Sequence, residues 1–431
     1  MARIEIAPKF DMAGVTALMQ TGDLLHRLKD AAIFEKGYHP WRYVKYHTPN
    51  GVDPKLWWSI LQIARAPHPI EGLLNRSGGN FIISSPGELQ KGLHEVDRSL
   101  GFSLETDSPY RGLDEGLRRV YIQRSLTEEA ISSSQMEGAV TTREVAREMI
   151  LKQRAPQDNS ERMILNNYIT MSKLKQWKEE PLSLELLAEI HRQITEGTID
   201  GGKQGRIRKP GDQPVQVDDG MQVYHYGTDA AALPERLQRL CDFANSKDDG
   251  VQFLHPIVKA AILHFMIGYE HPFSDGNGRT ARSIFYWYLL RMGYWIMEFL
   301  SISSLLHMPD WRKRYNEAYT DVEYGGSDLT YFVLMQVDVL KAADREFHAY
   351  VDRRQKNIRE LRTFLHGVVN DRQIDLLAHA ERHPGYEYRP AEHAKWHGVA
   401  LNTARADLEE LEEKGFLKMV LKGRARTYLK V

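Results

Sequence analysis

Apolar residues recur every three or four positions through most of this chain, and that spacing predicts helices. From about residue 112, Leu113, Leu117, Val120, Tyr121, Ile122, Leu126 and Ile131 follow it. The same period returns near 141–153, 158–177, 183–196, 229–245, 253–270, 277–293 and 309–320, and one long helix is expected through 327–364. Two stretches break the pattern. Residues 1–110 mix Trp41, Trp57, Trp58, Pro67, Pro69, Gly78 and Gly79 with a strand-like segment at 80–84, which predicts an irregular α+β cap. Between 198 and 226, Gly201, Gly202, Gly205, Pro210, Gly211 and Pro214 interrupt the helical period. There Val215-Gln-Val217, Asp219-Gly220 and Gln222-Val-Tyr224 read as a β-hairpin, because Asp-Gly favours a tight turn. After residue 370 the pattern predicts helices at 371–380, 390–396 and 401–414, then strands at 416–421 and 427–431 around a Lys422-Gly423-Arg424 turn. Asn402 or Thr403 near the start of the third helix and Gly415 past its end give the usual cap asymmetry.

Composition narrows the class. A chain of 431 residues implies two to four domains at roughly 100–200 residues each. Lys plus Arg number 57 and Asp plus Glu 58, a formal charge of −1, so no global field steers the chain to nucleic acid or an anionic membrane. Hydrophobic residues at 42% and charged residues at 27% exclude wholesale disorder. The one cysteine, Cys241, excludes a disulfide scaffold and a Cys-rich zinc cluster, and reads as a small buried apolar residue. Arg3, Glu5, Lys9 and Asp11 leave no apolar run for a signal peptide. Arg291 and Glu298 break the most apolar stretch, 284–300, short of the ~18 residues a membrane span needs. The expectation is a cytoplasmic protein with no membrane partner.

The chemistry concentrates in His271-Pro-Phe-Ser-Asp-Gly-Asn-Gly-Arg-Thr-Ala-Arg282. Pro272 stops the helix before it, and a second apolar helix begins just after. Gly276-Asn277-Gly278 turns backbone N–H groups toward one point at a helix N-terminus, where anions are favoured. Arg279 and Arg282, three apart, can face one side, and guanidinium groups bind phosphate oxygens in pairs. Asp275 offers one hard carboxylate oxygen of the kind Mg²⁺ takes alongside substrate phosphates. The His271 side chain suits proton transfer near neutrality. A phosphate cradle, a metal ligand and a base are the parts for transfer from a nucleotide.

This segment resembles the signature of the Fic domain family, His-Pro-Phe-x-Asp/Glu-Gly-Asn-Gly-Arg-x-x-Arg, at every specified position. The resemblance implies a helical Fic core and transfer of AMP from ATP to a Ser, Thr or Tyr hydroxyl of a protein. His271 would be the base and Asp275 would hold Mg²⁺. Gly276, Asn277, Gly278 and Arg279 would bind phosphates, Arg282 the γ-phosphate, and Phe273 would anchor the loop. Kinase-like relatives carry Lys at the position of Gly278, so the sequence looks like the AMP-transferring branch. Ser133-Ser-Gln-Met-Glu137-Gly138 resembles the family's inhibitory motif, with Ser133 and Glu137 on one helix face. By that resemblance Glu137 pairs with Arg282 in the place of the γ-phosphate. Ser125 and Glu128 read as a capping box at the start of this inhibitory helix, placed near 125–138. The 215–224 hairpin resembles the family's target-clamping flap, with Val215 and Val217 lining it by strand addition.

Three helices and a hairpin after residue 370 resemble a winged helix-turn-helix. Asp407, Glu409, Glu410, Glu412 and Glu413 oppose phosphate, while Lys418, Lys422, Arg424 and Arg426 favour it, so DNA binding and protein docking stay open. The reading is therefore mainly α: a cap at 1–111, a Fic domain at 112–345, a helical linker at 346–369 and a winged helix at 370–431. Two alternatives remain: removal of AMP by the same site, or a winged-helix regulator whose Fic domain only senses nucleotide. Self-modification and a homodimer stay open. His225 and His255 are weaker candidates for metal ligands. His264 falls on an apolar helix and, like Trp41, Trp57 and Trp58, reads as core.

Overall fold

In the computed structural model of the chain, the described residues are 4–100, 115–218, 220–247, 253–365, 367–422 and 425–431. Leu113, Asp219, Gly423 and Arg424, which entered the sequence reading, lie outside them, as do the side chains of Leu117, Val120 and Lys422. The elements run α1 (Met12–Thr21), α2 (Leu24–Phe34), α3 (Trp41–Val44), α4 (Pro54–Arg65), β1 (His68–Leu74), β2 (Asn80–Ile83) and α5 (Gly87–Leu100). Then come α6 (Glu115–Met136), α7 (Arg143–Leu151), α8 (Asn159–Trp177), α9 (Leu184–Thr195), β3 (Gln216–Asp218), β4 (Val223–Tyr226), α10 (Leu233–Asn245), α11 (Pro256–Glu270) and α12 (Asn277–Arg291). Last are α13 (Ile302–Leu306), α14 (Pro309–Tyr324), α15 (Thr330–Leu365), α16 (Asp371–Arg382), α17 (Pro390–His397), α18 (Leu401–Glu413), β5 (Leu417–Lys422) and β6 (Ala425–Lys430). The protein is mainly helical, and its strands pair only as the antiparallel hairpins β1–β2, β3–β4 and β5–β6 among the described residues. No described helix is long and apolar enough to cross a membrane.

The chain divides into two units, Met1–Ser103 with Ser125–Asp344, and Leu104–Arg124 with Arg345–Val431. The first is organised around α11 and α12. Nearly every residue of both is buried, from Ile257 to Glu270 and from Arg279 to Leu290. A helix apolar all round belongs in the interior rather than on a surface. Beside them, Ala130 and Ile131 of α6 pack with Met149 and Ile150 of α7 and Ile164 of α8. The second unit has its own core of Leu365, Ile374, Leu377, Tyr388, Leu408, Leu411, Leu417 and Tyr428.

Three sequence expectations need correcting. The N-terminal region keeps the expected strand segment, paired as β1–β2, but the rest of it is more regularly helical than the sequence suggests. Two of its prolines start helices, Pro40 at the N-cap of α3 and Pro54 in the first turn of α4, where the missing N–H costs nothing, while Pro67 follows α4 and Pro69 lies in β1. Ser125 and Glu128 form no capping box, because α6 begins at Glu115 and the N–H groups near Ser125 already have helical partners. Glu128 instead holds Arg143 at 2.6 Å and Arg147 at 2.7 Å. The third tail helix has Ala400 at its N-cap with no side-chain cap, so Asn402 and Thr403 lie inside α18; Gly415 follows it at φ 76°.

Candidate active site

The signature segment is the turn from α11 to α12. Pro272 ends α11, and His271 caps it in the left-handed region at φ 50°, ψ 57°. Its Nδ1 lies 3.2 Å from the Gly268 carbonyl, an acceptor, so Nδ1 carries the proton and Nε2 keeps its lone pair. Burial pushes the imidazole down to about 4, against weaker pulls upward from the Gly268 carbonyl and Glu137. His271 is therefore a neutral base at pH 7. Phe273, fully buried, anchors the loop. Asn277 closes it: its Oδ1 accepts the Phe273 N–H at 2.9 Å and its Nδ2 donates to the Phe273 carbonyl at 2.8 Å. Two bonds to Phe273 fix the Asn277 amide, and the Asn277 backbone N–H lies at the start of α12. Asn277→Ala, which strands both Phe273 groups in the interior, is expected to lower stability by about 1–3 kcal/mol in chemical denaturation.

Arg279 and Arg282 are buried to 1% and 2% exposure. Among the described residues Arg279 reaches only the Ile194 carbonyl, at 3.3 Å, and Asp275, at 3.9 Å, and its Nε has no partner. Burial holds its pKa below the ordinary arginine value. A desolvated guanidinium with an orphaned donor is the chemistry that an oxyanion such as a phosphate satisfies. Arg282 is fully engaged. Its Nε donates to the Ser133 hydroxyl at 2.8 Å, and one terminal nitrogen donates to the Ser133 carbonyl at 3.0 Å and to Glu137 at 2.8 Å. The Glu137 carboxylate also lies against Gly278, where any Cβ would collide with it. Burial raises the Glu137 pKa, but Arg282, then Arg279 and His271, pull harder and leave it below the ordinary value. Gly138 ends α6 at φ 96°, a conformation that favours glycine, and the Ala139 N–H returns to the Ser134 carbonyl at 3.0 Å.

Two cavities meet at His271, Glu137 and Gly278. One of about 400 Å³ is also lined by Val215, Ser274, Asp275, Gly276 and Asn277. The other, of about 680 Å³, reaches Arg282, Val217, Tyr224, Tyr319 and Trp41. Val215 thus borders the signature loop, and Val217, 43% exposed, pairs with His225 across the hairpin. Asp275 is 59% exposed, and no cluster of three or more His, Cys, Asp or Glu that could hold a metal occurs among the described residues. One exposed carboxylate beside a phosphate-seeking arginine fits Mg²⁺ held together with substrate phosphates, the ion's usual mode.

Sequence reasoning missed the supports of this loop. His191 of α9 stacks flat on Phe273 at 3.7 Å, and its Nε2 donates to the Asp275 carbonyl at 2.8 Å. Arg208 donates to the carbonyls of His271 at 2.9 Å and Thr228 at 2.7 Å. Glu270 accepts two bonds of 2.7 Å from Arg236. His225 of β4 places one ring nitrogen 2.7 Å from Glu323 and the other 2.7 Å from the Tyr269 carbonyl, tying the hairpin to the floor of the site. Each is a lone polar residue on its own element, and only tertiary proximity distinguishes it. Of the other histidines, His264 is a core residue bonded to Tyr315 and Gln336, and His255 pairs with Asp97.

Residues 181–289 match the Fic/DOC family. The chain is 29% identical over 181 residues to the protein adenylyltransferase Fic of Nematostella vectensis, covering 41% of this chain and 39% of that protein. It is 26% identical over 289 residues to the Culex quinquefasciatus protein adenylyltransferase Fic, covering 64% and 54%. It thus spans from two fifths to about half the length of these curated relatives. A Fic family protein from Desulfovibrio desulfuricans G20 shares the fold, with TM-score 0.53, 21% identity, and coverage of 81% of this chain and 97% of that one. The segment that builds the His271 loop thus lies within a match to the Fic/DOC family, and the chain is similar at low identity to protein adenylyltransferases.

Proposed function

We propose that this chain transfers AMP from ATP to a hydroxyl side chain of a protein, and that Glu137 restrains it by holding Arg282. The observation that carries the reading is the convergence of an unprotonated His271 Nε2 with a buried, under-partnered Arg279 at the start of α12. His271 Nε2 takes the proton of the target's Ser, Thr or Tyr hydroxyl. The freed oxygen bonds to the α-phosphorus, and the bond to the bridging oxygen breaks as pyrophosphate leaves. Arg279 and the α12 backbone amides balance phosphate charge. Asp275 would hold Mg²⁺, which when bound neutralises further phosphate charge. Such catalysis rests on positioning and electrostatics rather than on covalent steps by the protein. Val215 and Val217, on the hairpin beside the loop, would border the target chain.

Residues 370–431 read as a winged helix in which some of the cations pair with acids of the same segment. Arg426 holds Glu409, Arg372 holds Asp407, and Lys414 holds Glu410.

The test uses the Glu137→Gly variant with Mg²⁺ and ATP labelled on either the α- or the γ-phosphate. Label from the α position is expected to stay on protein and label from the γ position to leave with pyrophosphate. Retention of γ label, or of neither, would overturn the reading.

A further inference from the structure

The helix that carries Ser133 and Glu137 has a second fixed point. Glu129, on the same helix, is 1% exposed. Its carboxylate accepts the Tyr286 hydroxyl at 2.9 Å, the Ser301 hydroxyl at 3.0 Å, the Ser303 N–H at 2.9 Å and the Ser303 hydroxyl. All four partners are donors, and none is a cation. Glu129 makes no ion pair among the described residues; its direct contacts are hydrogen bonds, and the Arg282 charge acts on it only through space. A buried carboxylate held this way is costly as stabilisation and is better suited to fixing register.

The register is visible in the pairing. Ser133 meets Arg282, and Glu129, one turn earlier on α6, meets Tyr286, one turn later on α12. The two contacts are successive rungs of one antiparallel helix pair, since residues four apart share a helix face. A slip of α6 by one turn would set Ser133 against Tyr286 and remove Glu129 from its four donors.

We propose that Glu129 is a positioning residue that holds the register of α6 on α12 and thereby aims Glu137 at Arg282. This rests on the reading of Glu137 as a restraint. Glu129 touches neither His271 nor the phosphate cradle, and its route to the site is the position of Glu137.

The experiment measures self-labelling from α-labelled ATP by the intact chain, Glu129→Ala, Glu137→Gly and the double variant. Glu129→Ala is expected to raise labelling about tenfold, because four donors lose their acceptor and α6 loses its lock. In the Glu137→Gly background the same substitution is expected to change labelling by less than about twofold, since no restraint remains to aim. Glu129→Gln, whose amide oxygen still accepts, should stay near the intact level. Ser303→Ala removes one hydroxyl and should raise labelling about threefold, which decides the question if Glu129→Ala is poorly folded.

Glu137→Gly raised with Glu129→Ala and Ser303→Ala flat would overturn the role of Glu129 alone. A double variant well below Glu137→Gly would also overturn it, showing a general structural role. Glu137→Gly no higher than the intact chain would sink the restraint, and this proposal with it.

Discussion

Glu137→Gly is expected to raise AMP transfer by this chain about ten- to a hundredfold over the intact form, measured as protein-bound α label at equal ATP. The magnitude follows from the contact removed. A net hydrogen bond to a charged group contributes about 1.5–3 kcal/mol, and each 1.4 kcal/mol is tenfold in a population. If the site is competent only when Glu137 is away from Arg282, that energy sets the restrained fraction. Glycine also clears the carboxylate that lies against Gly278 at the start of α12. The pH sign separates this device from an acid switch. The Glu137 pKa is depressed, so its ion pair is fully present above the ordinary carboxylate range and is lost only as pH falls through the depressed value. The Glu137–Arg282 ion pair is therefore expected to persist across neutral pH. Equal labelling of both forms at neutral pH would sink the restraint.

The sequence showed the site more fully than it showed what holds the site up. The segment from His271 to Arg282 is local, and its turn chemistry and helix start are written in twelve consecutive residues. Glu137 was legible only through resemblance, because its partner Arg282 is over a hundred residues away and spacing carries no sign of that contact. The supports were not legible. Nothing around His191 marks it as the ring stacked on Phe273, and Arg208 sits in a Gly-rich stretch that reads as loop. Asn277 shows what the motif does not spell out: its side-chain amide makes two bonds to the Phe273 backbone and so closes the loop. In the N-terminal region, Pro and Gly outweighed the helical period because a proline that starts a helix and one that breaks it look alike until the cap is seen.

His271→Ala in the Glu137→Gly background is expected to reduce AMP transfer by about 10²–10⁴-fold, the range that general base catalysis supplies. Loss of the imidazole leaves Arg279, Arg282 and the α12 amides in place, so nucleotide binding measured by calorimetry should change little. That split, lost turnover with retained binding, distinguishes a base from a structural histidine. The pH profile of Glu137→Gly adds an independent readout. His271 works deprotonated, and burial lowers its pKa from the ordinary 6.5 to about 4. Transfer should therefore be level from about pH 6.5 to 8 and fall only in acid, as the ring takes up a proton and loses its lone pair. Bound triphosphate favours the protonated ring and removal of the Glu137 charge opposes it, so the midpoint should lie below 6.5. A profile still rising steeply between pH 7 and 8 would mean that another group, with a higher pKa, takes the proton from the attacking hydroxyl.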